Sequence, residues 1–146
     1  MKIEQLSVFL ENRPGRIEAP CAILAQAGIN ILTLTLADTE RFGILRLIVR
    51  EWERAKRLLS EAGYVVKATP VAAVQVEDRP GGLCELLKIV EDAGVNIAYM
   101  YAFTIRAGGK ATMILRLDDI DKGSTALRRR GLDLLSADAL FELAEK

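Results

Sequence analysis

Two short segments of the 146-residue chain carry most of its chemical potential: Asn12-Arg13-Pro14-Gly15-Arg16-Ile17 and Asp78-Arg79-Pro80-Gly81-Gly82-Leu83. Each sets Pro-Gly between an alternating apolar segment and a stretch of helical periodicity. The first amides of a helix lack intrahelical partners and carry a fractional positive charge. Gly15, Arg16 and Ile17, or Gly81, Gly82 and Leu83, are therefore suited to hold a carboxylate, and glycine lets a ligand come close to the backbone. One helix later an asparagine follows in each case, in Gly28-Ile29-Asn30-Ile31 and Gly94-Val95-Asn96-Ile97. A carboxamide offers two donors and an acceptor without net charge, a match for the ammonium and carboxylate of an amino acid. The start of the second strand is expected at the same end of the sheet as the Pro-Gly turn. That placement would bring Asn30 to the first turn and Asn96 to the second, around a small zwitterion.

Other chemistries are narrowed by composition. The chain has no histidine, which removes Ser-His-Asp and Cys-His nucleophilic sites and the commonest metal ligand. Cys21 and Cys84 fall in apolar helical patterns without CxxC spacing and read as small core residues, so no metal and no cofactor is expected. Twenty Lys+Arg balance twenty Asp+Glu, leaving no field to attract nucleic acid or an anionic membrane. The stripe of Tyr99, Tyr101 and Phe103 reads as packing rather than a base-stacking platform. Apolar runs are broken before the ~18 residues of a membrane span, and the N-terminus has no signal-peptide character, so a cytoplasmic location is expected. With 51% hydrophobic and 27% charged residues, the chain is expected to be a globular protein with a filled core.

The elements that position these segments are written twice. Glu11-Asn12-Arg13-Pro14-Gly15 returns as Glu77-Asp78-Arg79-Pro80-Gly81, and Ala27 to Ile31 returns as Ala93 to Ile97, both displaced by 78 − 12 = 66 positions. Ile44-Leu45-Arg46-Leu47 returns as Ile114-Leu115-Arg116-Leu117 at a displacement of 70, and Gly63 as Gly131 at 68. The drift falls at Ala107-Gly108-Gly109-Lys110 and before the second helix, where loops tolerate insertion. Each copy reads strand, helix, strand, strand, helix, strand. This predicts an α+β protein of two ferredoxin-like βαββαβ repeats, residues 1–68 and 69–146, each an antiparallel four-stranded sheet with helices on one face. Ser136 to Ala144 adds a capped C-terminal helix. Pro20 occupies the place of Leu86, which predicts a first helix that starts late, near Glu18 or Ala19, or is kinked. Several strands are apolar on both faces, so association through an open face or an edge strand, as a homo-oligomer and most simply a dimer, is expected.

On these residues, Leu10-Glu11-Asn12-Arg13-Pro14-Gly15-Arg16-Ile17 followed by Ala27-Gly28-Ile29-Asn30-Ile31, with the second copy, the chain resembles a stand-alone tandem ACT domain protein. The resemblance implies a regulatory, non-catalytic protein that binds an amino acid or similar small effector at an interface between ACT-like domains. It also implies a partner enzyme of amino-acid metabolism. It carries ligand contacts onto Asn12 and Asn30, with Asp78 and Asn96 as the second set. Serine-binding members have a histidine two residues before the loop Asn; Leu10 and Val76 stand there, so serine specificity is not implied. Asp78 replaces the loop Asn in the second copy and makes the two pockets unequal. Two other readings remain: an interaction module acting on a partner enzyme without its own ligand, and an acylphosphatase-like enzyme using Arg13 or Arg79. The phosphate-cradling loop the enzyme would need is reduced to Pro-Gly.

Overall fold

The computed structural model describes residues 2–38, 42–103 and 108–145. Its contacts divide the chain into two compact units, Glu4–Thr69 and Met1–Ile3 with Pro70–Lys146. The first contains β1 (Ile3–Glu11) from Glu4 onward, α1 (Glu18–Gln26), β2 (Ile31–Asp38), β3 (Phe42–Val49), α2 (Trp52–Glu61) and the beginning of β4 (Val65–Glu77). The second contains the rest of β4, then α3 (Gly82–Asp92), β5 (Ile97–Ala102), β6 (Lys110–Leu117), α4 (Ile120–Arg129), β7 (Asp133–Leu135) and α5 (Ala137–Ala144). The closing strand of one copy and the opening strand of the next are a single strand through Ala68-Thr69-Pro70.

The strand order is β2-β3-β1-β4 in the first unit and β5-β6-β4-β7 in the second. The pairs β1–β3, β2–β3, β4–β6, β5–β6 and β4–β7 are antiparallel. Each unit is thus a ferredoxin-like βαββαβ fold. Alternation in β1 sends Leu6, Val8 and Leu10 to one face, where they form a core with Leu24 of α1, Leu45 and Leu47 of β3, and Ala55 and Leu59 of α2. In the second unit Val74 and Val76 meet Leu86 and Val90 of α3, Leu115 and Leu117 of β6, and Leu127 of α4. Each leucine so buried contributes about 1.5–3 kcal/mol relative to exposure.

Helix boundaries follow local chemistry. Pro20 falls on the third residue of α1 and is buried. Having no N–H, it cannot donate to the carbonyl four residues back, so regular helix starts after the position its partner copy uses. α3 begins at Gly82, whereas α1 begins at Glu18, two residues later once the displacement of 66 is removed. Asp119 caps α4 by accepting from the Lys122 amide, and Ser136 caps α5 by accepting from the Ala139 amide. α5 contacts β7 and buries Leu140 and Phe141.

One side-chain expectation fails. Cys84 is exposed and Cys21 only half-buried, both as free thiols. The buried stripe of α3 is Leu86, Ile89 and Val90. Two residues before Leu86, at ~100° per residue, Cys84 points to the opposite side of the helix. At the drift point, Gly108 and Gly109 form the turn into β6, while Ala107 lies outside the described residues.

Candidate functional site

The Pro-Gly turns are repeated bond for bond. In the first unit the Arg13 amide donates to the Glu11 carbonyl (3.1 Å), the Arg16 amide to the Arg13 carbonyl (3.3 Å) and the Ala19 amide to the Gly15 carbonyl (3.4 Å). In the second, Arg79 donates to Glu77 (2.9 Å), Gly82 to Arg79 (3.0 Å) and Glu85 to Gly81 (3.0 Å). Gly15 and Gly81 hold the left-handed conformation at φ +80° and +89°, which closes the turn without a Cβ penalty. Of the amides nominated for a ligand, those of Arg16 and Gly82 are already used by the turn.

Beyond the turn the units diverge. Gly82 is buried, and a Cβ there would be driven into the Glu77 carbonyl oxygen. Its small size therefore serves the packing of α3 on the end of β4. Arg16 stands at the equivalent place in the first unit. Its side chain is only 12% exposed, and Nη2 donates to Asp38 Oδ1 at 2.8 Å. A Cβ on Gly43 would sit 2.9 Å from Arg16 Nη1 and 3.0 Å from Asp38 Oδ1, so glycine on β3 provides the seat for this ion pair. Among the described residues Nη1 is buried without a hydrogen-bond partner. In the second unit Arg79 is exposed and committed to Glu85 Oε1 (2.7 Å) and the Pro80 carbonyl (3.2 Å). That carboxylate hydrogen bond, with its charge, raises the guanidinium's pKa.

The asparagines are not beside the turns of their own units. Glu11 pairs with Phe42 at one end of β3 while Ile31 pairs with Val49 at the other. Seven residues of strand separate these levels, roughly 23 Å at ~3.3 Å per residue. In the second unit Glu77 lies level with Lys110 and Ile97 with Leu117, the same separation. The expectation that second strands start at the Pro-Gly end is thereby corrected. A helix crossing between β1 and β2 carries the chain back to the end where β1 began, whereas a hairpin would have kept it at the turn. Asn12 and Asn30 are exposed, as are Asp78 and Asn96. The Asn96 amide and carbonyl are held by Asp118, at 3.0 and 3.1 Å.

A hollow of about 760 Å³ opens in the first unit at the Pro-Gly end, lined by Arg13, Pro14, Gly15 and Arg16, with Glu11 and an apolar remainder. Sequence reasoning missed that remainder: Phe9 and Leu10 from β1, Ala19 from α1, Phe42 from β3, and Ala62 to Val65 entering β4. Asn12, Ile17, Asn30 and Ile31 do not line it. Two hollows of the second unit, about 680 Å³ beside α3 and α4 and about 380 Å³ beside α4 and β7, are lined by none of Asp78, Arg79, Gly81, Gly82, Leu83, Asn96 and Ile97.

Two ferredoxin-like units with matching Pro-Gly turns describe one family, and its model, the ACT domain pair, matches residues 1–144. The chain belongs to the ACT domain pair family. A solved structure, protein BT0572 from Bacteroides thetaiotaomicron, is 35% identical to this ACT pair, with 98% of each chain covered and a TM-score of 0.90. The fold is shared with the ligand-free regulatory subunit of aspartate kinase from Thermus thermophilus, at 18% identity, 88% and 90% coverage and a TM-score of 0.65. It is shared also with the corresponding subunit from Thermus flavus, at 17% identity, 100% and 94% coverage and a TM-score of 0.61. No curated protein matches this ACT pair. Among its described residues no helix is long and apolar enough to cross a membrane.

Proposed function

We propose that this ACT pair is a non-catalytic regulatory protein that binds an amino acid or similar small effector and passes the binding event to a partner enzyme of amino-acid metabolism. The observation that carries the reading is the hollow at the Pro14-Gly15 turn. A chain of this family has there a concavity of about 760 Å³, within the range of small-molecule sites. Four of the residues nominated from sequence line it: Arg13, Pro14, Gly15 and Arg16. Gly82 is buried against β4, and Ile31 and Ile97 pack half-buried against the cores; the other nominated positions, Asn12, Ile17 and Asn30 with Asp78, Arg79, Gly81, Leu83 and Asn96, are exposed. On this reading they meet a ligand where a second chain approaches.

A homodimer fits the exposed apolar groups of the edge strands, Leu34 and Leu36 on β2 and Met100 on β5, which a second copy would cover. Effector binding then acts by favouring one association over another, by no more than its difference in affinity for the two. Equilibrium dialysis of the full chain against a mixture of the twenty amino acids, read by mass spectrometry, tests the reading. Retention of one amino acid or a related group supports it. Retention of none, at millimolar concentrations, rules out an amino-acid effector, and failure of 3-phenylpropionate as well contradicts the reading.

A further inference from the structure

We propose that the hollow of the first unit is a site for a carboxylate with a bulky apolar body, preferably aromatic, anchored by Arg16. The inference rests on the effector-binding reading and narrows it to one ligand chemistry and one unit.

The apolar requirement comes from the walls. Phe42 is 43% and Val65 62% exposed, large apolar groups left in water at the mouth of a cavity they line. Phe42 meets Phe9 edge to face, with ring centroids 6.5 Å apart, and Tyr64 lines the same hollow. A ring entering there covers the exposed surface and extends the aromatic contact, a gain beyond area alone. A small polar amino acid such as serine would leave these walls wet.

The carboxylate requirement comes from Arg16. Its guanidinium is almost enclosed, Nη2 is held by Asp38, and Nη1 lies buried over Gly43 with no acceptor among the described residues. A buried charged donor without a partner is costly. Drawn a short way into the hollow while Nη2 keeps Asp38, the guanidinium would present Nη1 to an incoming carboxylate, whose planar pair of oxygens suits its fork. Glu11 on the rim would receive an ammonium if the ligand has one. The duplication isolates the feature: at displacements of 66, 70 and 68, Phe9, Arg16, Phe42 and Tyr64 become Gln75, Gly82, Thr112 and Leu132. The turn was copied; the aromatic walls and the buried arginine were not.

Calorimetric titration of the full chain with L-phenylalanine, 3-phenylpropionate, phenethylamine and L-serine is the test. The site predicts that L-phenylalanine or 3-phenylpropionate binds, and comparing the two shows whether the natural ligand class is an amino acid or a simple acid. Phenethylamine, without the carboxylate, and L-serine, without the ring, should bind at least tenfold more weakly. Arg16→Gln should weaken the binding probe at least tenfold. Ala19→Phe, which fills the hollow without touching a charge, should do the same and covers the case in which Arg16→Gln does not fold. Serine or another small amino acid binding while both aromatic carboxylates fail would overturn this assignment but leave the effector reading intact, as would aromatic binding indifferent to both substitutions. Failure of these probes together with all twenty amino acids would overturn both.

Discussion

Arg16 and Asp38 lie 22 positions apart and meet at 2.8 Å over a glycine, Gly43, whose missing side chain is what makes room for them. The relation joins the β1–α1 turn to the end of β2. Gly43→Ala would place a Cβ against Arg16 Nη1 and Asp38 Oδ1, the ends of two flexible side chains that can give way. The expected stability cost is about 1 kcal/mol by denaturant unfolding, the low end for added volume because the neighbours are side-chain ends, with the guanidinium displaced from its seat. A cost of several kcal/mol would mean that the pair is more rigidly held than this packing implies.

Two glycines of the turns should respond differently to alanine. Gly15→Ala meets nothing within 4 Å and bears only the left-handed conformation, about 1–2 kcal/mol. Gly82→Ala meets the backbone carbonyl of Glu77, which cannot swing aside, and should cost about 3 kcal/mol. Chemical denaturation of both variants checks the order; equal losses would contradict the close approach of α3 to β4.

The capped helices supply a second stability prediction. Asp119→Ala and Ser136→Ala each remove a side-chain acceptor from a helix start, 3.1 Å from the Lys122 and Ala139 amides respectively, and each should destabilise by about 1 kcal/mol. Thermal melts would show it, and melts unchanged within error would rule the caps out as contributors.

Thiol labelling separates the two cysteines. Burial, with the nearby charge of Glu18, raises the Cys21 thiol above its ordinary pKa, while Cys84 is exposed on α3. The thiolate is the nucleophile. Iodoacetamide at neutral pH is expected to modify Cys84 first, with the Cys21 rate still rising as pH increases toward and past the ordinary thiol range. Peptide mapping showing Cys21 modified first would contradict the half-buried placement.

The fold was legible because duplication and periodicity act locally. Alternating Leu6, Val8 and Leu10 could bury only one face, Ser136 stood where a helix start needs an acceptor, and Pro20 required the first helix either to start late or to kink. The site was legible in part. The Pro-Gly turns were visible as residues, but their partners depend on strand direction. The order of residues alone suggests the turn end for Asn30, whereas a helical crossover returns the chain to the opposite end. Gly82 read as an opening for a ligand and is an opening for Glu77. The lining of the hollow could not be read in advance, because Phe9, Phe42 and Tyr64 converge only after three strands have paired, and no local pattern marks them.

Thermal unfolding of the full chain in the presence of each of the twenty amino acids tests the central claim, that this ACT pair is a small-effector receptor, most directly. A ligand at a hundred times its Kd stabilises by ~2.7 kcal/mol, so at least one amino acid at saturating concentration is expected to raise Tm by several degrees, in proportion to the logarithm of its concentration. A Tm unmoved by all twenty and by 3-phenylpropionate would contradict the claim.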